Sequence, residues 1–244
     1  MSRTLRSLGR RPALDPKNGD PRLVGQMRLV LLSDTHNQQA LLNLPAGDAL
    51  VHAGDFTMGG TEAEIAAFGG WLAAQPHPHK IVVAGNHDFL FEREPERARS
   101  LLPADVHYLR DSEVTVGGLR FWGAPWQPWF LDWAFNLRRG EEIAAKWALI
   151  PEGVDVLITH GPPRGIADRT VNGEEVGCAD LGTAMARVKP RLAVFGHIHE
   201  GYGIHGDRIN AAICDEKYRP VHPPVVVDLA PGGGPPVMVT ESEW

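Results

Sequence analysis

The sequence predicts an α/β fold, and three observations carry that expectation. Short runs rich in Val, Ile and Leu recur at 28–32, 49–51, 80–84, 154–158 and 191–195. Each has the length of a strand buried on both faces. Helical patterns lie between several of these runs. After residue 200 the density of Gly, Pro and β-branched residues rises, which reads as further short strands and a β-rich second half.

Taken in order, residues 1–26 stand apart. Arg3, Arg6, Arg10, Arg11, Lys17 and Arg22 oppose only Asp15 and Asp20. With no apolar h-region, this basic segment is expected to be a disordered leader to one domain over 27–244. Met27 opens the first convincing strand. Thr61 and Glu64 have the spacing of a capping box, which starts a helix running to about Ala74. Val114–Val116 and Leu119–Trp122 flank Gly117-Gly118, a hairpin signal. A helix over 141–150 is stopped by Pro151, and another over 180–188 ends before Pro190. Gly232-Gly233-Gly234 reads as a turn and not a phosphate loop, because no helix follows it.

Composition narrows the function classes. The chain has 244 residues, 43% of them hydrophobic, with a net charge of -6. An acidic body without a basic stripe argues against long nucleic acid as a partner. No run of 18 apolar residues is present, so no membrane partner is expected. Two cysteines make no disulfide framework and fit a reducing, cytoplasmic location.

Chemistry gathers where the five runs end. Leu-Leu-Ser precedes Asp34-Thr-His36, and Val-His-Ala-Gly precedes Asp55. Val-Val-Ala-Gly precedes Asn86-His87-Asp88, Leu-Ile-Thr precedes His160, and Val-Phe-Gly precedes His197-Ile-His199. Ligands of open α/β sheets bind beyond the carboxyl ends of the strands. In extended backbone, side chains two apart face one way, so Asp34 with His36, and His197 with His199, are expected to share a site. The glycines allow sharp turns and close approach of an ion. Imidazole and carboxylate together suit Zn, Mn or Fe, and one carboxylate can bridge two ions. Each motif alone occurs by chance; five in sequence, all at strand ends, form a pattern.

That series resembles the calcineurin-like metallophosphoesterases from about Met27 to Leu229. Asp88 fits the Asn-His-Glu/Asp variant of class III cyclic-nucleotide phosphodiesterases. The stretches APWQPWF, LITHGPP, FGHIHEGYG and NAAICDEKYRP are similar to the small metallophosphoesterase-domain-containing proteins. The resemblance implies a four-layer αββα sandwich, two mixed β-sheets flanked by helices. It implies two divalent ions, Mn foremost in vitro, with Fe, Zn or Mg as alternatives. Asp34, His36 and His199 would hold the first ion, and Asn86, His160 and His197 the second, with Asp55 bridging. His87 would stand beside the scissile phosphate, its ring oriented by Asp88. The implied reaction is hydrolysis of a nucleotide phosphodiester, cyclic ones included, by in-line attack of a hydroxide shared between ions about 3.5–4 Å apart. His87 would protonate the leaving oxygen. A phosphomonoesterase, or a scaffold of the same fold without chemistry, are the alternatives; every ligand position being filled favours the enzyme.

Asn37, Trp126, Trp129 and Arg138 are candidate substrate contacts, since indole faces can stack a base and Arg can meet a phosphate. His52, one residue before Gly-Asp, is expected to be a satisfied histidine behind the site. His77, His79, His107, His205 and His222 carry no motif and are expected at the surface or in packing, and Cys178 in packing. The expected partner is a small phosphodiester or nucleotide; oligomeric state is open.

Overall fold

Strands form where the apolar runs are, with ends shifted by a residue or two. The structure, a computed structural model, describes residues 25–243. The expectation of a basic leader lies almost wholly outside the described residues. In chain order the first strands are β1 (Met27–Leu32), β2 (Ala49–His52), β3 (His79–Val82) and β4 (Val106–Tyr108). Next come β5 (Ser112–Val116), β6 (Leu119–Ala124), β7 (Gln127–Pro128), β8 (Asn136–Leu137), β9 (Val156–Thr159) and β10 (Leu192–Phe195). The last are β11 (Gly203–His205), β12 (Arg208–Asn210), β13 (Val225–Leu229) and β14 (Val237–Val239). The helices are α1 (Glu62–Ala74), α2 (Phe89–Arg93), α3 (Pro95–Ser100), α4 (Glu141–Trp147) and α5 (Ala179–Val188).

Two six-stranded sheets result, in the orders β14-β13-β1-β2-β3-β4 and β11-β12-β10-β9-β6-β5. Both are mixed. β1 to β4 run parallel while β13 is antiparallel to β1, and β6, β9, β10 and β12 run parallel while β5 and β11 are antiparallel edges. The period-2 alternation of strand side chains sorts the core into layers. Leu29 and Leu31 of β1 join Phe121, Val156, Ile158 and Val194 between the sheets. Val30 and Leu32 point the other way, to Ile65, Phe68 and Leu72 of α1. On the far face of the second sheet, Trp122, Leu157 and Ala193 meet Trp147 and Leu181 of α4 and α5. The order is helix, sheet, sheet, helix, as the resemblance implied.

The capping box at α1 is complete, and the hairpin turns through Gly117 (φ 56°) and Gly118 (φ 80°), the left-handed pair a two-residue turn needs. α4 stops at Trp147, earlier than Pro151 required. Leu149 N–H and Ile150 N–H bond three residues back, to Lys146 O and Trp147 O, so the last turn tightens before the proline. α2, α3, β4 and the β7–β8 pair had no sequence expectation. They are two to six residues long, too short to show a period. Among the described residues no helix is long and apolar enough to cross a membrane.

Candidate metal centre

β1, β2 and β3 lie side by side in one sheet, β9 and β10 in the other, and all five end at the same mouth. There the sequence motifs converge. The loops are zipped together by backbone bonds, Asp34 N–H to Gly54 O at 2.9 Å, His36 N–H to Asp55 O at 3.0 Å and Gly196 N–H to His160 O at 2.8 Å.

The aiming differs from the extended-backbone expectation. Asp34 (φ 52°), His36 (φ 42°), Asp55 (φ 56°) and His197 (φ 66°) are all left-handed, and His199 opens a 3₁₀ turn. Pairs two apart share the site because the chain folds back at each strand end, not because a pleat continues. Left-handed backbone costs roughly 1 kcal/mol or more at a non-glycine residue, somewhat less at Asp, and persists only where the surroundings fix it. Here they do: Asp34 accepts the backbone N–H of His197 from the opposite sheet, at 2.9 Å. Glycine is required at two of the approaches. A Cβ on Gly196 would strike Asp34 Oδ2, and one on Gly85 would strike Asp55 Oδ1.

Three sets of side chains could hold a cation: Asp34, His36 and His199; His36, Asp55 and His87; and Asp55, His160 and His197. Within each set the donor atoms lie within 4.8 Å of one another. Asp55 Oδ2 lies 3.3 Å from His160 Nε2, 3.8 Å from His36 Nε2 and 4.0 Å from His87 Nε2. Asn86 Oδ1 is 2.8 Å from His160 Nε2, and His199 Nε2 is 3.4 Å from Asp34 Oδ1 and 3.3 Å from His36 Nε2.

The donor chemistry fits a cation. His160 Nδ1–H donates to Ala53 O at 3.0 Å, and His199 Nδ1–H to Asp215 O at 2.8 Å. In the neutral rings both Nε2 atoms are then lone pairs, each facing acceptor atoms. Lone pairs facing oxygens need a positive charge between them, a metal ion or a proton. Without metal the proton takes that place. Burial opposes charge on His160, but Asp55 outweighs it and lifts the ring to about 9. Burial likewise opposes charge on His199, and its bond and charge from Asp34 raise it to about 9. Asp34 and Asp55 are themselves held well below the carboxylate range, against burial, by those histidines. Burial lowers His36 to about 4 and His197 to about 3, so both stay neutral and available as ligands. His36 Nδ1 is buried with no hydrogen-bond partner.

Residues 27–201 match the family profile described as "Calcineurin-like phosphoesterase". The human "Metallophosphoesterase domain-containing protein 1" is 46% identical over 246 residues, covering 88% of this chain and 75% of that protein. The chain belongs to the calcineurin-like phosphoesterase family. The UPF0046 protein C25E10.12 of Caenorhabditis elegans is 38% identical over 234 residues, covering 86% of this chain and 83% of that one. The solved structure of TT1561 from Thermus thermophilus superposes with a TM-score of 0.53 at 14% identity, over 78% of this chain and 90% of that one, and shows the shared fold. Membership carries phosphoester hydrolysis as the reaction class and divalent metals as the family's cofactors.

In this phosphoesterase Asp88 does not orient His87. Its carboxylate accepts N–H bonds from Gly85 (2.7 Å), Asp55 (2.9 Å) and Thr57 (3.0 Å), and the Thr57 hydroxyl at 2.7 Å. Asp88 thus pins the second and third strand-end loops to each other. Burial and the neighbouring Asp55 charge push it up to about 7, against those donors. The His87 ring is instead held by Met58 O, 2.8 Å from Nδ1, with Trp133 against its face at a centroid distance of 4.2 Å.

Three of the four candidate substrate contacts are not among the residues lining the mouth or the neighbouring cavity. Trp126 is buried and donates to Asp111 at 2.6 Å, packing beside Phe135 under the β7–β8 connection. Asn37 spends its amide on Glu64, at 2.7 Å. Arg138 is exposed, and its backbone N–H bonds to Glu142 at 3.1 Å. Trp129 is exposed and lines a cavity that reaches His197. The mouth of the site itself is also lined by Phe130, Trp133, Glu200, Glu216 and Tyr218; the sequence offered Trp133 only as one of a cluster of tryptophans and the other four not at all. Tyr218 (φ 58°) sets its ring edge-on to His36 at 4.8 Å.

The remaining histidines follow expectation where their contacts are defined. His52 is buried, donating to Thr35 Oγ1 at 3.0 Å and accepting from Gly54 N–H at 3.3 Å. His77 bonds to Pro45 O, His205 to Gly201 O, and His222 stacks on Tyr202. Cys178 caps α5 through its sulfur and receives the Trp147 N–H.

Proposed function

We propose that this phosphoesterase is a metal-dependent phosphodiesterase acting on nucleotide phosphodiesters, cyclic ones among them. One observation supports the reading above the others. His87 places Nε2 at the open mouth, 4.0 Å from Asp55, while its Nδ1 is fixed on a backbone carbonyl outside the donor cluster. An imidazole in that position can deliver a proton to a departing oxygen, and a diester with a poor leaving group needs that proton.

Asp34, His36 and His199 would hold one divalent ion, and Asn86, His160 and His197 the other. Asp55 would serve both, since its carboxylate lies between the two groups. Mn is proposed as the metal of the assay, with Fe, Zn and Mg as alternatives. When bound, such ions acidify water and neutralise charge on phosphoryl oxygens. The rest falls to the chain's own groups. Met58 O holds the His87 Nδ1 proton, so His87 carries a transferable Nε2 proton when it is cationic. Water oxygen bonds to phosphorus as the opposite P–O bond breaks, and the departing oxygen takes the His87 proton. The proton lost by water passes to solvent, from which His87 is reprotonated, and the products are a phosphomonoester and an alcohol, both on one molecule when the diester is cyclic. Trp133 and Tyr218 narrow the space around that ring, at centroid distances of 4.2 and 6.0 Å. A reducing cytoplasmic setting belongs to the same proposal, because Cys178 and Cys214 are both buried free thiols.

The test is chelation. Protein stripped of divalent metal is expected to lose hydrolysis of bis(p-nitrophenyl) phosphate and to recover it with Mn. Undiminished turnover after exhaustive chelation would end the proposal.

A further inference from the structure

We propose that Tyr218 is a substrate contact of this phosphoesterase, its phenol donating a hydrogen bond to a phosphoryl oxygen at the mouth, and that the Asp215–Arg219 ion pair is the clamp that holds it there. The inference rests on the site proposed above, and only on hydrolysis of a phosphoester there, not on the ester being a diester.

Placement is the first argument. Tyr218 lines the mouth together with Asp55, Asn86 and His87. Its ring stands among three imidazoles, edge-on to each, with centroids 4.8 Å from His36, 5.8 Å from His199 and 6.0 Å from His87. Two of these rings are proposed ligands of one ion and the third is the proposed proton donor. A phosphoryl group at the mouth therefore has Tyr218 for a neighbour.

The backbone imposes that placement. Tyr218 is left-handed (φ 58°), a conformation that bulky residues rarely adopt. Such outliers persist where neighbours over-determine them, and they gather at working sites. Here the neighbours are explicit. Asp215 is buried, and one of its carboxylate oxygens accepts the backbone N–H groups of Lys217 and Arg219, each at 2.9 Å. The other accepts from the Arg219 guanidinium, from Nε at 2.7 Å and from Nη2. Tyr218 N–H closes the turn on Asp215 O at 2.9 Å, and the same carbonyl accepts His199 Nδ1–H at 2.8 Å. One residue thus sets both a proposed metal ligand and the phenol beside it.

The hydroxyl supplies the chemistry. Tyr108 and Tyr202 pack against the hydrophobic core, and Tyr202 donates to Pro223 O at 2.9 Å. Tyr218 belongs to neither core cluster and is 38% exposed, and among the described residues no group pairs with its hydroxyl. Packing does not account for it. A phenol is a neutral donor. Fixed in advance beside a phosphoryl group, it stabilises the charge that builds on the non-bridging oxygens as water attacks.

Tyr218→Phe tests the hydroxyl alone. With the full Mn-loaded chain, kcat for bis(p-nitrophenyl) phosphate is expected to fall about tenfold with KM little changed. Inorganic phosphate carries more charge on its oxygens, and its affinity, measured by calorimetry, should fall by a similar factor. Metal content and Tm should stay at the parent values. Arg219→Met keeps the length of the side chain and removes the clamp, and Arg219 is not among the residues lining the mouth. That substitution should lower kcat several-fold in the parent and add nothing in the Tyr218→Phe background. Unchanged kcat and phosphate affinity in Tyr218→Phe, or a loss of bound metal that accounts for their fall, would overturn the contact. Losses that add in the double variant would overturn the clamp. If the chain hydrolyses no diester but Tyr218→Phe weakens phosphate binding, the diester reading fails and the contact stands.

Discussion

His87 concentrates the chemistry that a single side chain contributes. Its ring is positioned from one side by a carbonyl and from another by an indole, and it shares only a contact distance with the acidic cluster. His87→Gln keeps a polar group of similar reach but carries no transferable proton. We expect turnover to fall about 10²- to 10⁴-fold, more for alkyl than for nitrophenyl leaving groups. Metal content by elemental analysis should stay at the parent value. Loss of bound metal together with activity would make His87 a ligand, as its place in the set with His36 and Asp55 allows geometrically. The sequence revealed which residue types reach the mouth, because carboxylate, amide and imidazole directly after β-rich runs are conspicuous. What those groups touch stayed hidden. Asp88 follows His87 in the chain, yet its carboxylate turns to backbone N–H groups of neighbouring loops, and nothing in the string Asn-His-Asp separates the two outcomes.

At the scale of elements, α1 reaches into the site through its cap. Glu64 Oε2 accepts from Thr61, while Oε1 accepts from Asn37 and from the backbone N–H groups of Met58 and Gly59. Burial opposes the charge, but together these donors outweigh it and hold the Glu64 carboxyl at about 2. The same carboxylate therefore caps the helix and fixes the loop whose carbonyl holds His87. Thr61→Ala should lower stability by about 1 kcal/mol and leave kcat nearly unchanged. Glu64→Ala should lower stability and also reduce kcat several-fold, read by thermal melts alongside steady-state kinetics. Equal effects of both substitutions on kcat would disconnect the cap from the site. The cap itself was legible from Thr-x-x-Glu. Its second duty was not, since Met58 and His87 meet only in three dimensions. The tryptophan-rich segment shows the same limit: Trp126, Trp129 and Trp133 are spaced three and four apart, as on one helix face, yet all lie in irregular backbone, so the spacing does not tell the buried one from those beside the cavity and the mouth.

At the scale of the whole molecule, the metal-free chain holds its cluster together with protons. His160 and His199 titrate near 9, against about 6.5 in an unfolded chain. Their contribution to stability is complete below pH 6.5 and is lost as pH rises through about 9. Tm of the stripped protein should therefore fall by several degrees across that window. Divalent ions need those rings neutral, so the stabilisation they confer should grow with pH over the same range. Melting curves with and without Mn at pH 6.5, 7.5 and 8.5 check the two slopes. Parallel curves would mean that these histidines do not exchange protons for metal. The four-layer order and the filled donor positions were within reach of sequence, because family resemblance and strand-end motifs agreed. The left-handed turns that aim the donors were not, since Asp and His tolerate positive φ better than most residues but adopt it at only a small fraction of their positions.

The proposed ligands are divided between the two sheets, Asp34, His36, Asp55 and Asn86 from one and His160, His197 and His199 from the other, with His87 beside the first group. Neither half alone holds the full proposed set of ligands. A nascent or partly melted chain presents only a fragment of the cradle, so under the proposed reaction hydrolysis is expected only once both halves have docked. Turnover would then double as a gauge of correct tertiary assembly.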